Sequence, residues 1–132
     1  MTTRRLFVLT LAAVTLSGSA FAASRAIHQI RRFDTDNDGT LDLAEVKKAA
    51  SALFARFDTD HDGTLEAREL HGRLTAKELA AADPDHDGTL TLDEFLAVVE
   101  QRFNAADRDK DGTLSLRELR SQAGRSLIRL MR

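Results

Sequence analysis

The sequence predicts an all-α fold, a compact array of helix–loop–helix units with short β contacts where the loops pair. Three observations support this prediction. An acidic segment of twelve residues, DTDNDGTLDLAE at 34–45, recurs three times further along the chain. Apolar residues at helical spacing flank each copy. Every copy also has a glycine at its sixth place, where a sharp turn is expected between two helices.

The four copies are in register with one another. They span 34–45, 58–69, 83–94 and 107–118, here loops one to four, and begin 24, 25 and 24 residues apart. Self-similarity at a nearly constant period indicates a repeat protein. Positions within each loop are numbered 1 to 12 from its first aspartate.

The polar residues of each loop predict a cage of hard oxygen ligands. Positions 1, 3 and 5 supply carboxylates, position 7 a backbone carbonyl, position 9 a further oxygen and position 12 a bidentate glutamate. Such an adaptable cage suits Ca²⁺, whereas Mg²⁺ demands strict octahedral geometry and keeps its waters. The predicted ligands are Asp34, Asp36, Asp38, Thr40, Asp42 and Glu45 in loop one, Asp58, Asp60, Asp62, Thr64, Glu66 and Glu69 in loop two, Asp83, Asp85, Asp87, Thr89, Thr91 and Glu94 in loop three, and Asp107, Asp109, Asp111, Thr113, Ser115 and Glu118 in loop four.

All four loops match the pattern D-x-[DN]-x-[DN]-G-x5-E at every fixed position and therefore resemble the EF-hand family. The resemblance covers roughly Ile27 to Ala123. It implies a compact EF-hand array, similar to small exported proteins of bacterial type, that binds about four Ca²⁺ per chain. The alternative is an acidic, solvated turn without metal, which is disfavoured because clustered unpaired carboxylates repel one another.

The first 22 residues have the pattern of a secretory signal peptide. Arg4 and Arg5 precede the apolar run 6–16, and small residues flank Phe21 at an expected cleavage site after Ala22. The run is short for a membrane anchor. A general secretory signal and a twin-arginine signal both remain open. We therefore expect an exported protein, periplasmic or secreted, whose mature chain is a single domain at 23–132.

Negative charge is concentrated in the loops, where positions 1, 3, 5, 9 and 12 hold 18 of the 21 acidic residues. Removing residues 1–22 takes away two of the 19 basic residues, so 17 remain against 21 acids and the formal charge is −4. Four Ca²⁺ would add eight positive charges and invert the sign to +4. The chain has no cysteine, so bound metal is the expected means of stabilising so small a core.

The segments between loops predict two units, 27–71 and 75–123. Only twelve residues separate loops one and two, and loops three and four, so each stretch is expected to form one helix. Twelve helical residues rise about 18 Å, which keeps the loops at the two ends apart. Pairing should therefore cross between units, with loop two beside three and loop one beside four. The leucine at position 8 would lie in each β contact.

The middle connection is expected to bend. Leu70-His71-Gly72 is typical of a helix end, and Thr75 to Glu78 is a capping box that opens the next helix.

Apolar stripes beside the loops predict a shared core, with a phenylalanine-lined ligand pocket as the alternative. The stripes are Ile27, Ile30, Phe33, Leu53, Phe54, Phe57, Leu79, Ala82, Phe103 and Ala106 before the loops, and Val46, Leu70, Phe95 and Leu119 after them.

The last segment, 116–132, is basic and amphipathic. It predicts the helix that leaves loop four, unless Gly124 breaks it. The alternative is a helix for an acidic protein partner or an anionic surface.

Several function classes are disfavoured. His61 and His86 stand at loop position 4, which faces away from the metal, and His28 and His71 have no second ligand at i+4, so no transition-metal site is expected. No nucleophile–base arrangement or phosphate loop indicates an enzyme. An acidic chain without Tyr or Trp does not suit nucleic acid. The remaining hypotheses are a calcium sensor or calcium-dependent interaction protein, a calcium buffer or store, and a structural module held together by calcium.

Overall fold

The computed structural model describes residues 27–28 and 30–132, and the expected signal peptide lies outside them. Helical residues 27–28 and 30–33 belong to a first helix, α1. It is followed by β1 (Leu41–Asp42), α2 (Leu43–Phe57), β2 (Thr64–Glu66), α3 (Ala76–Ala82), β3 (Thr89–Thr91), α4 (Leu92–Ala106), β4 (Thr113–Leu114), α5 (Leu116–Leu119) and α6 (Gln122–Leu130). The predicted fold class, a helix–loop–helix array with short β contacts, is confirmed. None of the helices described has the length and apolarity needed to cross a bilayer.

Helices α2 and α4 each run unbroken from one loop to the next, as the twelve-residue spacing predicts. Each has 15 residues and begins with a capping box at position 9 of the loop it leaves. Asp42 caps α2 and Thr91 caps α4. The first aspartate of the following loop, Asp58 or Asp107, caps the other end. Each helix is about 22 Å long, so it holds two loops well apart.

The loops pair across the two units. Strand β1 pairs antiparallel with β4, and β2 pairs antiparallel with β3. Leu41 stands opposite Leu114, and Leu65 stands opposite Leu90. All four leucines are buried, so the position 8 side chains join both β contacts to the core. Both the expected pairing and the role of position 8 are confirmed.

Helices α2 and α4 pack against each other at the centre of the molecule. The rings of Phe54 and Phe95 lie 5.8 Å apart between centroids. At the surface, Lys47 Nζ lies 2.6 Å from Glu100 Oε2 and links the same two helices. Most residues of the predicted apolar stripes are buried in this core. Ile27 is the exception, because 42% of it is exposed.

No helix begins directly at the end of loop two, contrary to the expectation that helices flank every loop. Residues 67–72 form turns and 73–74 a bend, so Gly72 does not end a helix as expected. The predicted bend is present, with Gly72 at φ +74°. The difference lies at position 9. Asp42, Thr91 and Ser115 each cap a helix at this position, whereas Glu66 stands there in loop two. Because glutamate is a poor N-cap, the backbone amides after loop two lack the cap that starts a helix elsewhere.

The C-terminal segment 116–132 is two helices and not one. The chain leaves the helical path at Arg120 and Ser121, where Ser121 caps α6. Gly124, the expected break, lies inside α6 instead. A Cβ added there would lie 2.2 Å from the carbonyl oxygen of Glu118, so glycine permits the close approach of α6 to α5. The apolar face of α6 is buried in the core, and its arginines are exposed.

A charged network connects three of the helices. Arg102 of α4 lies 3.0 Å from Glu78 Oε1 and donates to the carbonyl of Ser126 at 2.8 Å. Arg129 of α6 reaches the same Glu78 oxygen at 3.2 Å. The other oxygen of Glu78 accepts from the backbone N–H of Thr75 at 2.7 Å in the predicted capping box. This carboxylate therefore connects α3, α4 and α6.

The network predicts an acid-sensitive contribution to stability. The Thr75 backbone N–H, opposed by partial burial and aided by the two arginines, holds the pKa of Glu78 below its ordinary value of 4.5. A lowered folded-state pKa stabilises the fold above that value, and the contribution is lost as the pH falls through the folded pKa. Glu78→Gln should therefore lower the free energy of unfolding at pH 7 by less than about 1 kcal/mol, since the Glu78 side chain is 36% exposed and solvent screens its ion pairs, with a smaller loss below about pH 4.

Urea unfolding in the same excess of calcium at both pH values would measure this. Glu100→Gln is the matched control, since it removes a single exposed ion pair and no helix cap. Equal losses for Glu78→Gln at pH 7 and pH 3.5 would contradict the assignment.

Candidate metal centres

The backbone of each loop is shaped to point amides at its first carboxylates. Position 4 adopts a left-handed conformation, with φ of 57° to 60°, and the position 6 glycines have φ of 82° to 86°. In loop one the Gly39 amide donates to Asp34 Oδ2 at 3.0 Å, and the Asp38 amide donates to Asp34 Oδ1 at 3.2 Å. His61 and His86, at position 4, are exposed and lie outside the carboxylate clusters.

Carboxylates from both ends of every loop converge. In each loop, the residues at positions 1, 3 and 12 place one oxygen apiece within 4.8 Å of one another. Loop two has a second such group, made by Asp60, Asp62 and Glu66 at positions 3, 5 and 9. In all four loops the position 5 aspartate accepts from the amide and hydroxyl of the position 7 threonine. Positions 1, 3 and 12 are therefore the common centre of each cage.

Backbone amides orient the glutamate at position 12. Glu45 accepts from the amides of positions 2 and 9 at 2.7 and 3.1 Å, and Glu69 does so at 2.9 and 3.1 Å. In Glu118 both distances are 3.0 Å. Each carboxylate oxygen can accept more than one bond, so these contacts fix the side chain without exhausting it.

Loop three departs from this arrangement at position 2. The residue there is Pro84, which has no N–H to donate. Glu94 keeps the position 9 amide of Thr91, at 2.7 Å, and is half-buried, whereas Glu45, Glu69 and Glu118 are buried. Pro84 is not among the predicted ligands, although its lack of an N–H is readable from the sequence.

Hydrogen bonds and neighbouring charges shift the pKa values of several carboxyl groups. The backbone N–H of Glu66 contributes most to a lowered pKa of Glu69, with partial loss of hydration opposing it and Thr59 adding to it. In loop three, the hydrogen bond that Asp85 donates in its protonated form to the Asp83 carboxylate is the main reason that the pKa of Asp85 is raised. The pKa of the position 3 carboxyl is also raised in loops one and four.

The residues present fit a hard divalent cation. Among the described residues, Asp107 Oδ1 of loop four is buried without a hydrogen-bond partner. Buried carboxylate oxygens are normally paired, and a cation at the centre of the cluster would supply the missing partner. The clusters consist of carboxylates alone, the donors that calcium prefers.

Comparison with known families agrees with this geometry. The family model for the EF hand matches residues 27–49, 51–71 and 98–121, and the model for an EF-hand domain pair matches 78–102. The chain belongs to the EF-hand family. No curated protein matches it. The EF-hand matches and the acidic clusters together suggest calcium binding.

The composition of the EF-hand loops predicts unequal sites. Loop one holds five acids and no basic residue, whereas loop four holds four acids together with Arg108, Lys110 and Arg117. More ligand charge attracts a divalent ion, and nearby cations oppose it. Glu118→Gln should therefore remove the lowest-affinity step of a calcium titration, and Glu45→Gln should remove a tighter one.

Titration calorimetry at low and high salt would order the steps, and the step lost with Glu118→Gln should be the most salt-sensitive. If Glu118→Gln removes the tightest step, pairing between loops sets the order and local charge does not.

Proposed function

We propose that this EF-hand protein is an exported calcium sensor that loads four Ca²⁺ and engages a partner in its loaded form. One observation carries the proposal. Helices α2 and α4 each begin at one loop and end at the next, while the β contacts join the loops in the crossed order one–four and two–three. Each loop is therefore tied to two others.

This arrangement favours coupled loading over independent binding. A change in the position 9 and 12 residues of loop one acts on the first turn of α2, whose last turn is capped by Asp58 of loop two. Loop two in turn contacts loop three through three residue pairs. A buffer needs only independent sites, whereas coupling between sites is what turns a gradual change in calcium into a concerted response.

The surface supports a partner that carries negative charge. The apolar face of α6 is buried, but the C-terminal arginines are exposed. They are Arg117, Arg120, Arg125, Arg129 and Arg132. Loading four ions would take the expected mature chain from −4 to +4, so attraction to an acidic protein or an anionic surface would grow with calcium. The EF-hand family is typically non-enzymatic, which agrees with a binding role.

Two other roles share the same sites. A calcium buffer would bind ions without a change of surface, and a structural module would need calcium only to fold. The residues 23–132 contain one methionine, Met131, which is buried, so a methionine-rich groove for many targets is disfavoured.

The stoichiometry tests the metal assignment. We expect about four Ca²⁺ per mature chain, because all four loops present the same three-carboxylate centre. Titration calorimetry would count the ions, with the quadruple variant in which every position 12 glutamate is glutamine as the control. Two ions or fewer would refute the four-site proposal.

The binding of an apolar dye separates the three roles. A sensor should increase the fluorescence of the dye when calcium is added to the folded apo chain. A buffer should leave it unchanged, and a structural module should be unfolded in chelator, with melting restored by calcium. Circular dichroism of the same samples reports whether the apo chain is folded.

A further inference from the structure

Loop two contains a basic side chain that lies on its predicted ligands. Arg68, at position 11, places Nε 2.8 Å from Glu66 Oε2 and Nη2 3.5 Å from Asp60 Oδ2. These two carboxylates stand at positions 9 and 3, and together with Asp62 they form the second cluster of this loop. The guanidinium therefore bridges two of the five acids that loop two would offer to an ion.

The contact depends on features found in loop two alone. Position 11 is Ala44 in loop one and Asp93 in loop three, so neither loop has a cation there. Loop four has Arg117 at position 11, but its position 9 is a serine that caps α5. Within the part of the chain that the structure describes, Arg117 forms no ion pair.

The missing helix after loop two allows this arrangement. Where position 9 caps a helix, its side chain turns towards the backbone N–H of position 12, as Asp42 does towards Glu45 at 2.7 Å. Glu66 is no such cap, and residues 67–70 form turns. Its carboxylate is therefore directed to Arg68, two residues further along, and away from the helix start used in the other loops.

We propose that Arg68 acts as a built-in competing cation that sets the calcium affinity of loop two. The inference rests on the proposed binding of calcium by this loop. In the calcium-free loop, the guanidinium relieves the repulsion between Asp60 and Glu66. An incoming Ca²⁺ must share or displace it and is also repelled by it. Although loop two has as many acids as loop one, its affinity is the lower of the two.

The proposal has two consequences of opposite sign. Arg68→Gln tightens calcium binding at loop two and at the same time destabilises the calcium-free protein, because the two carboxylates lose their partner. If the arginine were purely structural, its removal would lower both the calcium affinity of loop two and the stability of the calcium-free protein. Since 71% of the Arg68 side chain is exposed, the pair is weak, and the expected change in Kd is about two- to fivefold at low salt.

Amide NMR of the full mature chain resolves the individual loops. The Gly63 amide donates to Asp58 at 3.0 Å and reports loop two, and the Gly112 amide donates to Asp107 at 3.0 Å and reports loop four. In a calcium titration, Arg68→Gln should lower the calcium midpoint read at Gly63 by more than the midpoint read at Gly112, which shifts only through the coupling between loops. At about 0.5 M salt the difference should shrink, because exposed charges are then screened.

Two further variants keep the test specific. Arg117→Gln is the matched control, with the same residue at the same position, and should alter the Gly112 midpoint less than Arg68→Gln alters that of Gly63. Arg68→Lys keeps the charge without the guanidinium fork, and its Gly63 midpoint should lie between those of the native chain and Arg68→Gln. Thermal melting in chelator supplies the second readout, with Arg68→Gln below the native chain.

An unchanged or weaker midpoint at Gly63 in Arg68→Gln would overturn the proposal. Equal effects of Arg68→Gln and Arg117→Gln would also overturn it, because net charge alone would then explain them. If Gly63 of the native chain does not respond to calcium while Gly112 does, the assignment of calcium to loop two fails, and this inference fails with it.

Discussion

The structure depends on holding mutually repelling carboxylates close together. Eighteen acidic side chains occupy positions 1, 3, 5, 9 and 12 of the four loops, and the pKa of the position 3 carboxyl is raised in loops one, three and four. Inward-pointing backbone amides offset part of the repulsion, chiefly at positions 1 and 12. The left-handed turn at positions 4 and 6 directs the amides of positions 5 and 6 towards the position 1 carboxylate, so the shape of the backbone depends on the charge that it holds.

In loops one, three and four, the residue at position 9 links the carboxylate cluster to the helix that follows it. The same side chain is a predicted ligand and the N-cap of the helix that leaves the loop, so site and scaffold are built from one residue. Asp, Thr and Ser are short enough to serve both purposes. Glu66 shows the result when the side chain is one methylene longer than Asp: the helix does not start, and the freed carboxylate meets Arg68.

Much of the fold could be predicted from spacing alone. A repeat of 24 or 25 residues leaves room for a single helix between loops one and two, and this length forces the crossed pairing of β1 with β4 and β2 with β3. The ligand motif is likewise periodic and therefore readable. What could not be predicted depends on single residues in three dimensions. The break before α6 follows from the Ser121 cap and the close contact at Gly124, and the Arg68 contact follows from an absent helix.

The crossed pairing also orders events along the chain. Leu41 finds its β partner only in Leu114, near the far end of the sequence, whereas Leu65 and Leu90 are much closer neighbours. A polypeptide that emerges from its N-terminal end therefore carries loop one unpaired until almost all of the domain has followed. The inner pair can close first, and the outer pair closes around it. Residues 27–71 contain β1 and β2, and residues 75–123 contain β3 and β4, so neither segment contains both strands of a β contact. The β contacts therefore form only when both segments are present.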